Sequence, residues 1–116
     1  PGTPKAQRLE YRIAAADANP YVILAAVIAS GLWGIEHPAE IECMVKGSAY
    51  EQTFPASLQL PATLWEAAQR LKASTAAIDY FGAPFVEHFA ASREWEEREF
   101  RKHISQWELE RYFEII

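Results

Sequence analysis

The chain has 116 residues, half of them hydrophobic and 13% aromatic, which suffices for one modest core but not for two ordinary domains. The formal net charge of −5, with no basic cluster, argues against general nucleic-acid binding. The single cysteine, Cys43, excludes an intrachain disulfide and favours a reducing compartment.

The longest apolar run extends from Pro20 to Trp33. At about 14 residues it is shorter than the roughly 18 to 20 that a membrane helix needs. It also lies too far from a basic start to be a signal peptide. The sequence therefore predicts a soluble, cytoplasmic protein without a membrane partner.

The first predicted element is a short alternating stretch, Lys5 to Ile13. Three apolar residues alternate with three charged ones: Leu9, Tyr11 and Ile13 with Arg8, Glu10 and Arg12. A strand has a side-chain period of two, so the charges would form a row with neighbours about 7 Å apart. Such a row could gather phosphate or carboxylate anions and a divalent cation. The alternative is a solvent-facing strand whose Arg–Glu pairs are worth under about 1 kcal/mol each.

A lone strand cannot satisfy its backbone hydrogen bonds. The sequence therefore predicts either that the strand pairs with a second copy, or that the chain is the carboxyl-terminal piece of a longer protein.

The next element is a helix from Pro20 to about Trp33. Asn19 is a strong N-cap, and proline is favoured at the first helical position. Gly31 and Gly34 are predicted to mark the end of this helix. Because it has no polar face, we expect it to be buried in a larger core.

Residues 36–60 show no sustained period and are predicted to be a loop. A capping box from Thr63 to Glu66 then opens a helix to about Lys72. Its predicted inward residues are Leu64, Ala67, Ala68 and Leu71. Ser74 is predicted to cap a further helix over residues 75–81, which Gly82 ends.

A long helix is predicted from Pro84 to about Lys102, with a charged second half that would be a solvated face with i,i+4 pairs. Ser105 and Glu108 form a second capping box, which opens the last helix. Its aromatic residues, predicted to be core or subunit contacts, are Trp107, Tyr112 and Phe113. The predicted fold is therefore mostly α with an N-terminal β-strand.

Several of these motifs together resemble the carboxyl-terminal part of the glutamine synthetase family. The first are Lys5-Ala6-x-Arg8-x-Glu10-x-Arg12, Asn19-Pro20-Tyr21 and Gly31-Leu32-Trp33-Gly34-Ile35-Glu36. Phe81-Gly82-x-x-Phe85-Val86-x-His88-Phe89 and Trp107-Glu108-x-x-Arg111-Tyr112-Phe113-Glu114-Ile115-Ile116 lean towards its γ-glutamylpolyamine (γ-glutamylputrescine) synthetase branch. The resemblance implies that residues 1–116 are the last segment of an α+β catalytic domain. The amino-terminal β-grasp domain and most of the sheet would lie outside the chain.

The same resemblance implies a reaction and partners. The family uses ATP and Mg²⁺ or Mn²⁺ to join the γ-carboxyl of glutamate to ammonia or an amine through a γ-glutamyl phosphate, and it assembles as stacked rings. Glu10 would be a metal ligand, and Arg12 would contact glutamate. Arg8 would lie on the ATP phosphates, with Lys5 on the nucleotide side. Glutamine biosynthesis or polyamine metabolism is the implied setting, and the fragment alone is expected to be inactive.

Tyr50 lies in a loop where some bacterial members are adenylylated. Glu51-Gln52 follows it, rather than the Asp-Leu-Pro of those members. We therefore expect an ordinary loop tyrosine.

Two other functional classes stay open. One is a non-catalytic glutamine synthetase-like protein that serves as a structural or assembly module. The other is a free-standing helical interaction domain whose strand pairs between copies.

Overall fold

The computed structural model describes residues 3–6, 8, 10–38, 45, 47–113 and 115. The chain divides into two compact units, Pro1–Cys43 and Met44–Ile116, which are described separately. Five α-helices account for most of the described residues: α1 Pro20–Glu36, α2 Leu64–Ala73, α3 Thr75–Phe81, α4 Ala83–Phe100 and α5 Gln106–Tyr112. The mostly helical prediction is therefore confirmed. None of the helices in these ranges has the length and hydropathy that crossing a bilayer requires.

The predicted N-terminal strand is not confirmed. Pro4–Ala6 forms a short 3₁₀ turn, in which the Ala6 amide donates to the Thr3 carbonyl over 2.8 Å. Arg8 and residues 10–13 have no regular secondary structure, and Leu9 lies outside the described residues. A strand persists only where a neighbouring strand satisfies its backbone groups, and the described residues contain no such neighbour.

Helix α1 begins where the sequence predicts and ends later. The side chain of Asn19 accepts a hydrogen bond from the Tyr21 amide at 3.0 Å, and Pro20 occupies the first turn. The helix continues through Gly31 and Gly34, because a glycine costs only about 1 kcal/mol relative to alanine inside a helix and does not end it alone.

His37 caps the other end of α1. Its amide donates to the Trp33 carbonyl over 2.8 Å, its Nδ1 lies 3.0 Å from the same oxygen, and its ring stacks on the Trp33 ring at 4.7 Å.

The predicted burial of α1 is wrong for this chain. No residue of the helix is buried, and its large apolar side chains are exposed, among them Tyr21, Leu24, Ile28 and Ile35. The first unit contains no second described α-helix against which α1 could pack. An apolar helix indicates a buried position only when the chain also supplies the surface that covers it.

In the second unit, α2 packs on α4, and α3 connects the two while contacting both. Among the described residues, the core of this unit is made of small side chains, those of Ala68, Val86 and Ala90. The predicted inward residues of α2 are Ala68, which is buried, and Leu64, Ala67 and Leu71, which are half-buried. Gly82, with φ of 81°, ends α3 and lets the chain turn into α4, because this left-handed conformation is favourable for glycine.

The predicted helix caps of this unit are confirmed with one correction. Ser74 caps α3 through the Ala77 amide at 3.1 Å. Thr63 caps α2, but the Glu66 carboxylate accepts from the Ala62 amide at 3.0 Å rather than from the Thr63 amide, so the box is shifted by one residue.

Ser105 and Glu108 form the complete reciprocal box before α5. Two short 3₁₀ turns, Ala49–Glu51 and Ala56–Leu58, lie within the predicted loop.

The aromatic residues of the last helix are not core residues of this chain. Trp107, Tyr112 and Phe113 are exposed, although the rings of Trp107 and Tyr112 meet edge to face at 6.0 Å. The prediction of a core contact is therefore wrong here, and a contact with another subunit stays a prediction.

Candidate functional site

The four predicted site residues lie on one exposed segment at the start of the chain. Lys5 belongs to the 3₁₀ turn Pro4–Ala6, and Arg8, Glu10 and Arg12 follow without regular secondary structure. All four are exposed, and so are the apolar residues Tyr11 and Ile13. The segment thus presents charged groups to solvent, and the described apolar residues are not covered by a core.

Glu10 and Arg12 are the two site residues that the structure brings together. The guanidinium Nε of Arg12 donates to Oε1 of Glu10 at 2.7 Å. A charged donor and a charged acceptor make a short hydrogen bond of this kind. The Arg12 and Glu10 side chains are 79% and 61% exposed, so solvent screening limits the pair to at most about 1 kcal/mol of stability. The bond therefore holds the Glu10 carboxylate beside the Arg12 guanidinium but contributes little to the stability of the fold.

Arg8 and Lys5 lie close to this pair in the sequence. Among the described residues, the bond from Arg12 to Glu10 is the one hydrogen bond or ion pair that joins two of the four predicted site residues. Both remaining side chains are exposed cations that could meet a phosphate oxygen.

The acidic group at this site has the chemistry that a hard divalent cation prefers. Mg²⁺ takes oxygen ligands, often one or two carboxylates together with phosphate oxygens. Glu10 offers an exposed carboxylate, and the bond to Arg12 uses only its Oε1. No group of three His, Cys, Asp or Glu side chains within metal-binding reach occurs in the described ranges. The assignment of Glu10 as a metal ligand therefore stays a prediction, and no described three-residue cluster includes it.

A second polar cluster, missed from the sequence, lies between α2 and α4. Glu94 accepts hydrogen bonds from Gln69 Nε2 at 2.6 Å and from Lys72 Nζ at 2.9 Å. The hydrogen bond from Lys72 and then that from Gln69 lower the pKa of Glu94 below its ordinary value of 4.5. The sequence offered one signal for this cluster, the polar pair Gln69 and Lys72 spaced i,i+3 on α2. Their partner Glu94 lies more than twenty residues later in the chain, so residue order alone did not predict the contact.

Local ion pairs form around the C-terminal end of α4, as predicted, but the predicted solvated face is confirmed only in part, because the Glu97 side chain is only 14% exposed. Arg101 pairs with Glu97 at 2.9 Å in i,i+4 spacing, and Lys102 pairs with Glu99 at 2.7 Å in i,i+3 spacing. These pairs are local, as the sequence predicts, whereas Glu94 is turned towards another helix.

The chain matches the family described as "Glutamine synthetase, catalytic domain" over residues 1–112. Type-1 glutamine synthetase 2 of Dictyostelium discoideum is 40% identical over 114 residues, covering 97% of this chain and 22% of that relative. Glutamate–isopropylamine ligase of a Pseudomonas species is 40% identical over 111 residues, covering 96% of this chain and 24% of that relative. Glutamine synthetase of Thermotoga maritima is 36% identical over 113 residues, covering 93% of this chain and 26% of that relative.

The chain therefore spans about a quarter of the length of these curated relatives. No solved structure matches it significantly. Because the family match extends over nearly the whole chain, the protein belongs to the glutamine synthetase catalytic-domain family.

Proposed function

We propose that residues 1–116 are the carboxyl-terminal portion of the catalytic domain of an ATP- and divalent-metal-dependent glutamate–amine ligase. The observation that carries this proposal is the exposed Arg8–Glu10–Arg12 segment, with its 2.7 Å contact between Glu10 and Arg12, in a chain of this family. The segment combines two cations, which can bind the anionic groups of glutamate and ATP, with one carboxylate, which can bind a divalent metal ion.

The proposed reaction has two steps. A γ-carboxylate oxygen of glutamate attacks the γ-phosphorus of ATP, so that γ-glutamyl phosphate forms and ADP leaves. Ammonia or an amine then attacks the activated carbonyl, phosphate leaves, and the nitrogen loses a proton. Phosphoryl transfer depends mainly on positioning and on neutralising charge. A bound Mg²⁺ or Mn²⁺ would supply part of that neutralisation.

Each site residue has a proposed role that the family resemblance implies and that its charge supports. Glu10 would be a ligand of the metal, and the Arg12 guanidinium would bind glutamate and the γ-glutamyl phosphate. Arg8 would bind the phosphates of ATP, with Lys5 on the nucleotide side. Guanidinium groups suit both anions, because their planar fork matches two oxygens at once.

The identity of the amine substrate is a more specific part of the proposal. We favour the γ-glutamylpolyamine branch, with putrescine as a candidate, on the motifs of residues 81–89 and 107–116. The relatives carry names for ammonia and for other amines, including isopropylamine and, in Streptomyces coelicolor, gamma-glutamylethanolamide. The proposed setting is cytoplasmic, in glutamine biosynthesis or polyamine metabolism, within an oligomer of stacked rings.

The testing experiment measures phosphate release by the intact protein that carries this chain. Glutamate, ATP and Mg²⁺ or Mn²⁺ would be held constant while ammonia, putrescine, spermidine, isopropylamine and ethanolamine are compared. We expect release that depends on metal and on one of these amines, and that Glu10→Gln abolishes. No release with any amine would contradict the ligase and favour the non-catalytic assembly module.

The isolated 116-residue chain is the matched control. It should release no phosphate, since it spans about a quarter of the length of its relatives. Turnover near that of the intact protein would contradict this part of the proposal.

A further inference from the structure

The contact between Glu10 and Arg12 uses one atom of each charged group. Nε of Arg12 donates to Oε1 of Glu10 at 2.7 Å, and this bond involves neither Oε2 of Glu10 nor the two Nη atoms of Arg12. A carboxylate has two oxygens and a guanidinium has three nitrogens, so each group can serve another partner while the bond persists.

We propose that Arg12 is a positioning residue for the divalent cation as well as an anion-binding group. Its Nε–H orients the Glu10 carboxylate so that Oε2 is presented to the metal, while its Nη groups remain for the anionic substrate. This inference rests on the proposed function, which assigns Glu10 as a metal ligand. It adds a physical link between the metal position and the glutamate position through one arginine.

Two effects of Arg12 on a metal ion have opposite signs. As a cation close to Glu10, it repels a divalent cation, so its removal should tighten metal binding. As a donor that holds a ligating carboxylate in place, it supports metal binding, and such outer partners typically contribute 10-fold to 100-fold in affinity. The direction of the change therefore distinguishes a positioning residue from a mere neighbouring charge.

The experiment measures Mn²⁺ binding to the intact protein by electron paramagnetic resonance, without glutamate or ATP. Glu10→Gln identifies which of the Mn²⁺ sites depends on Glu10. Arg12→Met retains the bulk of the side chain but removes both the charge and the donor. Arg8→Met is the matched control, because it removes the same charge from an exposed arginine two residues on the other side of Glu10.

We expect Arg12→Met to weaken Mn²⁺ binding at the Glu10-dependent site by about tenfold. Arg8→Met should leave that affinity unchanged or raise it slightly. Circular dichroism of each variant checks that the fold is retained.

If Arg12→Met leaves the affinity unchanged or raises it, as Arg8→Met does, the positioning role is overturned and the proposed function stands. An equal loss in both variants would also overturn it, because the effect would not then be specific to the contact seen here. If Glu10→Gln retains every Mn²⁺ site of the wild type, the metal assignment in the proposed function fails, and the positioning role is overturned with it.

Discussion

Glu94 is a charged residue of α4 whose side chain makes a tertiary contact with α2. It lies in a run of charged residues on α4, yet its side chain is only 13% exposed and it bonds to Lys72 and Gln69 on α2. Because these bonds lower the pKa of Glu94, its ionised form favours the folded state. That stabilisation is complete above the ordinary carboxyl pKa of 4.5 and is lost as the pH falls through the lower folded value.

We therefore expect Glu94→Gln to unfold at a lower urea concentration than the wild type at pH 7. The gap between the two should narrow as the pH falls from 7 towards 3, because the wild-type carboxylate becomes protonated. Urea unfolding followed by circular dichroism measures both effects. Glu96→Gln is the control, since it removes the same charge at an exposed position of α4. An equal effect of both variants, or a gap independent of pH, would argue against this interpretation.

Val86 provides a second test at the residue scale. It is 1% exposed and is buried, as are Ala68 and Ala90, in a core of small side chains. Val86→Ala removes two methyl groups and leaves a cavity, so we expect a loss on the order of 2 kcal/mol in the free energy of unfolding. Val45→Ala makes the same change at an exposed valine and should change it by no more than about 0.5 kcal/mol. Similar losses at both sites would contradict the core assignment.

At the scale of single elements, α1 depends on its first turn. Asn19 has an extended backbone, with φ of −61° and ψ of 116°, as expected for a residue before proline, and its side chain binds the Tyr21 amide. Since no residue of α1 is buried, local interactions have to provide much of its stability. A cap is therefore worth proportionally more here than in a packed helix.

Asn19→Ala should cost α1 about 1 kcal/mol, because the Tyr21 amide loses its acceptor. Amide hydrogen exchange over the first turn of α1 measures this loss directly. Asn19→Ser keeps a capping oxygen and should retain nearly all of the protection. The prediction fails if the alanine and serine variants exchange at the same rate.

At the scale of the whole molecule, the described chain exposes many large apolar side chains. Those of α1 and α5 are prominent, including Tyr21, Leu24, Ile28, Trp107 and Phe113. Exposed apolar surface in contiguous patches usually marks a contact with another protein or another part of the same protein. If the chain is one portion of a larger catalytic domain, as proposed, other parts of that domain would cover this apolar surface.

The isolated chain should consequently self-associate, with an average mass in sedimentation velocity that rises with concentration. Ile28→Lys places a charge on the exposed apolar surface of α1 and should reduce this association several-fold. Ala25→Lys adds the same charge to the same helix at a small exposed residue, so it should have the weaker effect. A monodisperse monomer at every concentration would contradict the prediction.

The sequence alone determined the features whose causes lie within a few residues of one another. The N-caps at Asn19, Ser74 and Ser105 join a side chain to a backbone amide two or three positions later, so residue order suffices to predict them. The same holds for the Arg8–Glu10–Arg12 motif and, to within one residue, for the start of each helix, since α4 begins at Ala83 rather than at the predicted Pro84. The motifs that suggested the glutamine synthetase family are also local, and the family match over residues 1–112 confirms the family that they indicated.

Only the tertiary structure decided which of these elements found partners. In the described part of the chain, the buried residues are Ala68, Val86 and Ala90 rather than the more hydrophobic residues of α1, because burial requires a second surface and α2 and α4 provide one for each other. The bond of Glu94 to Lys72 likewise depends on how two helices meet. The predicted strand was not formed in the described residues, since β-pairing needs a neighbouring strand that local sequence cannot provide.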